Sequence, residues 1–234
     1  MPDLPRWKSA GILRHLPRGH RDRFAGHSTA MPLQNRVTPT GEIIAHPARG
    51  EWMGNRGCLH DEAKRLTSRR WARLAWVTCT LSRKSIRREL MAPGRYTELF
   101  FLDEPTALAA GHRPCAECRR EDYQRFLFAF TAALGVNKLS ATDMDRRLHQ
   151  DRTQEGDQKT FFCATEALPT GAMIQVEGDC FLWWAGRGHR WQPTGYSSAV
   201  AIGPGQVRVL TPLATFKALQ YGYRPTPHAS LRHG

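Results

Sequence analysis

Residues 100–122 have the sequence FFLDEPTALAAGHRPCAECRRED, which places two cysteines directly behind a short helical pattern. The aromatic and aliphatic start predicts a buried strand. Asp103 is typical of a helix N-cap, Pro105 of a first turn, and Gly111 of the residue that ends a helix. The segment therefore predicts a strand and a short helix that lead into the cysteine pair.

The cysteine pair, Cys115 and Cys118, has the CxxC spacing of metal knuckles and of redox centres. A redox CxxC normally follows a strand in a thioredoxin-like pattern, whereas a helix and a glycine precede this one. The six cysteines of the chain are unevenly spaced, which differs from a dense disulfide framework. We favour a metal site, and a redox pair or two buried cysteines without metal are the alternatives.

A structural zinc site takes four protein ligands, so two more are needed. Cys79 lies in the apolar segment LAWVTCTL, which predicts a strand that RYTELFFL would bring beside the knuckle. His60, in GNRGCLHD, is the expected fourth ligand, and Cys58 and His112 are the alternatives. The predicted site is Zn2+ bound by Cys79, Cys115, Cys118 and His60.

The charge of the chain is strongly positive. Its 234 residues include 34 Lys and Arg against 21 Asp and Glu, a formal charge of +13 with a sequence pI near 10.1. Arginine forks match phosphate oxygens in pairs. The composition therefore favours a polyanionic partner, with DNA as the first candidate and RNA as the second. A basic protein without a nucleic-acid role is the alternative.

Two basic runs, KRLTSRRWAR and SRKSIRREL, lie on either side of the predicted strand that carries Cys79, and further arginines surround the CxxC pair. Basic stretches beside a zinc site favour contacts with the phosphate backbone. We expect six arginines to make such contacts: Arg83, Arg87, Arg88, Arg113, Arg119 and Arg120.

The predicted fold class is α+β, a small zinc-stabilised α/β module followed by a β-rich C-terminal subdomain. Residues 1–30 lack periodicity and predict a basic flexible arm. The zinc module covers residues 31–135, with a helix expected from Asp61 onward in DEAKRLTSRRWARL. Residues 136–159 predict a charged connector, and residues 160–234 a small β-rich subdomain with a C-terminal helix and tail.

We expect a cytoplasmic protein. No stretch of the sequence approaches the roughly 20 apolar residues that span a bilayer, and the first residues lack the apolar core of a signal peptide. Ordered-looking sequence begins at Met31, so Met1 and Met31 are both compatible with being the first residue.

Residues 100–122 resemble the second half of the metal-binding domain at the N-terminus of the Ada DNA-repair methyltransferases. In that domain an aromatic strand, a short Ala-rich helix, a glycine and an RPCxxC knuckle follow in the same order. The resemblance implies that Cys115 and Cys118 match the later pair of a four-cysteine zinc site, and that Cys79 matches one member of the earlier pair. Arg83 stands at the position of the other member. The resemblance therefore implies a zinc-stabilised, DNA-contacting module associated with repair. Because Arg83 stands in place of a cysteine, the resemblance extends to zinc binding but not to methyl-acceptor activity.

Two other functions compete with DNA binding. Zinc nucleobase deaminases combine HxE with PCxxC, and the chain contains His60, Glu62, Pro114, Cys115 and Cys118. In deaminases a strand leads directly into PCxxC, whereas here the pattern predicts a helix and a glycine. A non-catalytic scaffold that binds RNA or protein is the third hypothesis. The sequence assigns no catalytic residue.

Overall fold

The structure is a computed structural model that describes residues 31–81 and 89–233. It contains both helices and sheets, so the predicted α+β class is confirmed. The predicted arm, residues 1–30, lies outside the described residues.

The first sheet has six strands in the order β2-β1-β5-β3-β4-β6. These strands are β1 Gln34–Val37, β2 Ile43–Ala45, β3 Trp52–Asn55, β4 Val77–Thr80, β5 Leu99–Phe101 and β6 Arg113–Pro114. The β1–β5 and β4–β6 pairs are parallel and the other pairs are antiparallel. In β5, Leu99 and Phe101 are buried while Phe100 is half-buried, as the period of two predicts.

The second sheet is antiparallel throughout, in the order β13-β12-β11-β10-β14-β9. Its strands are β9 Phe161–Ala164, β10 Met173–Val176, β11 Asp179–Trp184, β12 Arg187–Gln192, β13 Gly195–Val200 and β14 Gln206–Val209. Two-residue turns, Glu177-Gly178 and Ala185-Gly186, join β10 to β11 and β11 to β12. All four turn residues have positive φ, the conformation that matches the twist of a tight hairpin.

The described residues also form four α-helices: α1 Glu104–Ala109, α2 Arg120–Leu134, α3 Ala141–Arg152 and α4 Leu213–Gln220. Short 3-10 helices occupy Thr165–Ala167 and Ala229–His233, and β7 Thr153–Gln154 pairs with β8 Asp157–Gln158. In the part of the chain that is described, no helix has the length and apolar character of a membrane span.

Helix α1 lies at the centre of the fold, and all six of its residues are buried. The Asp103 side chain accepts a hydrogen bond from the Thr106 backbone N–H at 3.0 Å, as expected of an N-cap. Gly111 follows the helix with φ +84°, and a Cβ there would lie 2.6 Å from Cδ of Arg152. The predicted cap and stop are confirmed, and the lack of a side chain at Gly111 allows Arg152 to pack closely.

Helix α1 contributes to three hydrophobic clusters, two of which contain residues of both predicted domains. Ala107 of α1 packs with the first sheet, Leu108 with helices α2, α3 and α4, and Ala109 with the second sheet. Residues 31–234 accordingly form one compact unit. Helix α1 therefore packs against elements on both sides of the predicted boundary between the module and the C-terminal subdomain.

Two expected elements differ from the structure. The helix predicted from Asp61 does not form, because the Asp61 side chain accepts hydrogen bonds from the backbone N–H groups of Ala63 and Arg65, each at 2.9 Å. Such local bonds compete with a helix, and Lys64 has φ +60°. The segment runs instead as turns and bends into β4.

The connector predicted at residues 136–159 contains helix α3. Ser140 caps the helix by accepting a hydrogen bond from the Asp143 N–H at 3.1 Å. Met144 and Leu148 are fully buried and lie four residues apart, on one face. The S-x-x-D pattern at Ser140 is the signal that would have predicted this helix, although the high charge of the segment suggested a loop.

Candidate metal centre

Strand pairing brings the three predicted cysteines together. Cys79 lies in β4, and Cys115 directly follows β6, which pairs with β4 in parallel. The Cys115 N–H donates to the Thr78 carbonyl at 2.9 Å, which extends the ladder to the knuckle. Cys118 then lies two residues before α2. A strand and the start of a helix therefore place the three thiols at one end of the first sheet.

The sulfur atoms of Cys79, Cys115 and Cys118 lie within 4.8 Å of one another. All three residues are half-buried. A tetrahedral ion with bonds of about 2.3 Å to sulfur separates its ligands by roughly 3.8 Å, so a small adjustment of side chains suffices for all three to bind one metal ion. The prediction that these three cysteines form one cluster is confirmed.

Backbone amides and neighbouring thiols set the charge of the cluster. A hydrogen bond from Cys79 lowers the pKa of Cys115 to about 4, with support from the N–H groups of Cys118 and Glu117. The same bond raises the pKa of Cys79. Burial raises the pKa of Cys118, against a hydrogen bond from the Thr80 N–H. These effects favour a thiolate at Cys115 that is stabilised by hydrogen bonds from its neighbours. Metal binding releases the remaining thiol protons.

His60 does not belong to this group, so its prediction as the fourth ligand is corrected. Its Nδ1 lies 2.7 Å from the Thr97 hydroxyl, and its Nε2 lies 3.3 Å from the Ala92 carbonyl. Both ring nitrogens are therefore used in holding the loop of residues 89–97 against the first sheet. Cys58, an alternative, donates to the His60 carbonyl at 3.6 Å.

His112, the other alternative, is fully buried between aromatic rings. Its ring centroid lies 4.7 Å from that of Phe101 and 5.3 Å from that of Trp76. Neither ring nitrogen makes a hydrogen bond of normal geometry, although the backbones of Ala110 and Ala107 lie close enough to interact with the ring. Burial, and then the charges of Arg56 and Arg152, hold the pKa of His112 well below its usual value. The ring is therefore a neutral part of the core.

We expect His112→Phe to leave the free energy of unfolding at pH 7 within about 1 kcal/mol of wild type, or to raise it, because an unpaired buried polar group is removed. A histidine with a lowered pKa in the folded state binds fewer protons than in the unfolded state. Wild type therefore loses stability as the pH falls below about 6.5, and the variant should lose less. Urea unfolding at pH 7.0 and 5.5 measures both effects. A large loss of stability at pH 7 would indicate that a ring nitrogen is hydrogen-bonded.

The cysteines have the chemistry of a metal site rather than of a disulfide framework, since all six cysteines of the chain are free. Within residues 31–81 and 89–233 no fourth His, Cys, Asp or Glu atom joins the cluster. Residues 82–88, SRKSIRR, contain none of these residue types.

No family model, curated protein or solved structure matches this chain. The function must therefore be argued from the site itself.

Two of the arginines predicted to contact phosphate are buried in ion pairs, which corrects their assignment. Arg113 binds both carboxylate oxygens of Asp145 in α3, each at 2.8 Å. Arg119 donates to Glu104 at 2.8 Å and also to Asp122 and to the Thr78 hydroxyl. Both guanidinium groups hold elements together and face away from solvent.

The remaining predicted contacts are in two places. Arg120, the first residue of α2, is exposed near the cysteine cluster. Arg83, Arg87 and Arg88 lie outside the described residues. Sequence reasoning did not single out Arg69 and Arg73, which are exposed and have no ion-pair partner among the described residues. The basic run KRLTSRRWAR contains both arginines, but it was predicted to be part of a helix, and the exposure of its individual residues was not predicted.

Proposed function

We propose that Cys79, Cys115 and Cys118 bind Zn2+ and that the protein binds DNA through exposed arginines, in a role associated with DNA repair. The observation that carries the metal assignment is the convergence of the three sulfur atoms within 4.8 Å. Thiolates favour zinc among the common divalent ions of the cell. The fourth ligand would be a water molecule or a group outside the described residues.

With a fourth protein ligand from outside the described residues, zinc in this position would have a structural role. It would tie β4 to the start of α2, and basic residues flank β4 and begin α2 in the sequence. Arg69 and Arg73 precede β4, residues 82–88 follow it, and Arg120 begins α2. A metal ion that fixes these elements would hold the arginines at a constant spacing, which phosphate contacts along a nucleic-acid backbone require.

The three clustered cysteines are the ones that the Ada-like resemblance implies as zinc ligands. The proposal includes zinc binding without methyl transfer, because Arg83 stands in place of a cysteine. We do not propose deamination, because His60 makes hydrogen bonds to Thr97 and Ala92 instead of joining the cysteines. The proposal places the protein in the cytoplasm, where thiols stay reduced and available to metal. RNA remains the second candidate partner.

DNA binding should depend strongly on salt, because each phosphate contact contributes about −0.9 to the slope of log K against log salt. The double variant Arg69→Gln with Arg73→Gln should bind more weakly, with a slope shallower by roughly 1 to 2. Fluorescence anisotropy of labelled single-stranded and duplex oligonucleotides, between low and physiological salt, measures both quantities.

The matched control is Arg187→Gln with Lys217→Gln, which removes two exposed charges from β12 and α4. It should leave the slope unchanged. Equal effects of the two double variants would mean that net charge alone attracts DNA and that no arginine face exists. Absence of DNA binding at low salt would overturn the nucleic-acid part and favour a protein-binding scaffold.

A further inference from the structure

A small cavity of about 30 Å³ lies next to the residue that precedes β4, and none of the three clustered cysteines lines it. Arg56, Arg152 and Trp76 line it, and the exposed Arg70 stands at its rim. Trp76 precedes Cys79 by three residues, so the cavity and the sulfur cluster are separated by roughly 10 Å along the strand. The two features are therefore distinct.

Arg56 is buried, with 4% of its surface exposed, and most of its hydrogen-bonding capacity is unused. One nitrogen, Nη1, donates to the Gly41 carbonyl at 3.3 Å. Neither Nε nor Nη2 has a partner. A buried guanidinium group normally has its donors satisfied and its charge paired. Two nitrogens of Arg56 lack an acceptor, and its charge lacks an anionic partner among the described residues. This points to an anionic ligand that supplies the acceptors and the negative charge.

Arg152 adds a second buried positive charge, with 2% of its surface exposed. Its Nη1 and Nη2 donate to the carbonyls of Gly111 and Leu74 at 2.9 and 2.6 Å, and its Nε has no partner. Both guanidinium groups lie over the Trp76 ring, with centroid distances of 4.3 Å for Arg56 and 3.8 Å for Arg152. The ring compensates the charges in part.

Of the nearby carboxylates, Asp157 and Asp145 are already engaged, while the exposed Glu42 lines only a wider cleft next to the cavity. Asp157, which lines the cavity, pairs with Arg70 at 3.0 Å. Asp145, which acts on Arg152 from α3, makes a bidentate pair with Arg113. Burial, and then repulsion from other arginines, lowers the pKa of Arg56 and of Arg152 to about 9. The cavity is therefore an uncompensated positive site.

The shape of the site limits the ligand. One water-sized group needs about 10 to 15 Å³ of such space, so the cavity accepts two or so oxygen atoms and excludes a ring. A wider cleft of about 490 Å³ adjoins it and shares Gly41, Arg56 and Arg70 with it. Thr67, Ser68 and Arg69 also line this cleft. A ligand would insert an oxyanion and leave its larger part in the cleft.

We propose that the Arg56–Arg152 cavity binds a phosphate group carried by a nucleotide or by a nucleic-acid strand. Arginine donors match phosphate oxygens in paired hydrogen bonds, and the unused Nε and Nη2 of Arg56 form such a pair. The site stands independently of zinc. Its use by a strand rests on the proposed function, whereas its use by a free nucleotide does not.

Arg56→Met tests the site, because methionine fills similar space without charge. Tm is measured for the zinc-loaded full chain with inorganic phosphate, thymidine 5′-monophosphate, or a short single-stranded oligonucleotide, each against sodium chloride of equal ionic strength. At least one phosphate ligand should raise the Tm of wild type by several degrees. In the variant the ligand affinity should fall by roughly 10-fold to 100-fold, as expected for a lost charged hydrogen-bond pair. Its Tm without ligand should stay the same or rise, because an unpaired buried charge has gone.

The Tm of Arg56→Met without ligand distinguishes an arginine that binds a ligand from one that only stabilises the fold. A Tm well below wild type together with an unchanged ligand shift would overturn the proposal. Arg187→Met, on the exposed surface of β12, is the matched control and should keep the full shift. If Arg56→Met does not fold, Arg56→Lys decides: it keeps the charge without the fork, so a reduced shift supports the site and a full shift overturns it.

The three ligands distinguish the source of the phosphate. A shift with thymidine monophosphate that depends on Arg56 assigns a nucleotide site, and one with the oligonucleotide alone assigns a strand site. A Tm shift with inorganic phosphate alone would mean that the cavity binds phosphate and that the adjoining cleft does not contribute to binding. No shift with any of the three overturns the proposal. DNA binding that is unaffected by Arg56→Met would leave the arginine face standing and would reject the use of this cavity by a strand.

Discussion

Replacement of Arg119 by alanine is expected to lower the free energy of unfolding by about 3 to 5 kcal/mol, because it leaves a buried carboxylate without its partner. The Arg119 side chain is 1% exposed and that of Glu104 is 2% exposed, and their charged atoms lie 2.8 Å apart. The guanidinium group also lies 3.8 Å from the centre of the Trp52 ring. The loss would therefore remove an ion pair, hydrogen bonds and packing at once.

Urea unfolding of Arg119→Ala measures this effect, and Arg120→Ala, at the neighbouring position, is the matched control. Arg120 is exposed, and its truncation should change the free energy by less than about 0.5 kcal/mol. DNA affinity should change in the opposite order and fall more in Arg120→Ala, because the proposed function assigns a phosphate contact to Arg120 and none to Arg119. Comparable stabilities of the two variants would contradict the buried role of Arg119.

The second large effect concerns the metal. Purified wild type should contain about one equivalent of zinc, and Cys115→Ser should lose most of it, because three thiolates are the protein ligands that bring the ion into place. Cys79→Ser and Cys118→Ser should behave in the same way. Since metal binding contributes to folding free energy, chelation should lower the Tm of wild type and have little effect on the three variants.

Metal analysis of two further variants controls this result. Cys163→Ser removes a half-buried cysteine outside the cluster, and His60→Ala removes the histidine that the sequence suggested as a ligand. Both should retain zinc, although His60→Ala should be less stable through loss of its bonds to Thr97 and Ala92. Zinc loss in His60→Ala at unchanged stability would restore that histidine as a ligand, and metal-free wild type would remove the basis of the proposed metal centre.

Local patterns account for the parts of the fold that were predicted. Asp103 and Gly111 mark the two ends of α1, and Gly135 ends α2 with φ +67°, because caps and stops depend on a few neighbouring residues. The CxxC spacing likewise identified Cys115 and Cys118. The same reasoning was misled in residues 61–74, where the charge order of a helix was outweighed by the local hydrogen bonds of Asp61.

By itself the sequence determined the α+β class, the ends of the central helix and the three cysteines of the candidate metal centre. Each of these follows from residue type and short spacing. Tertiary structure decided which charges face solvent. Arg113 and Arg119 are buried beside acidic partners from distant segments, and Arg56 and Arg152, nearly a hundred residues apart in the chain, meet over Trp76 without one. Charge alone cannot separate these cases, because the partner of an arginine, or its lack of one, is set by packing between elements that are remote in sequence.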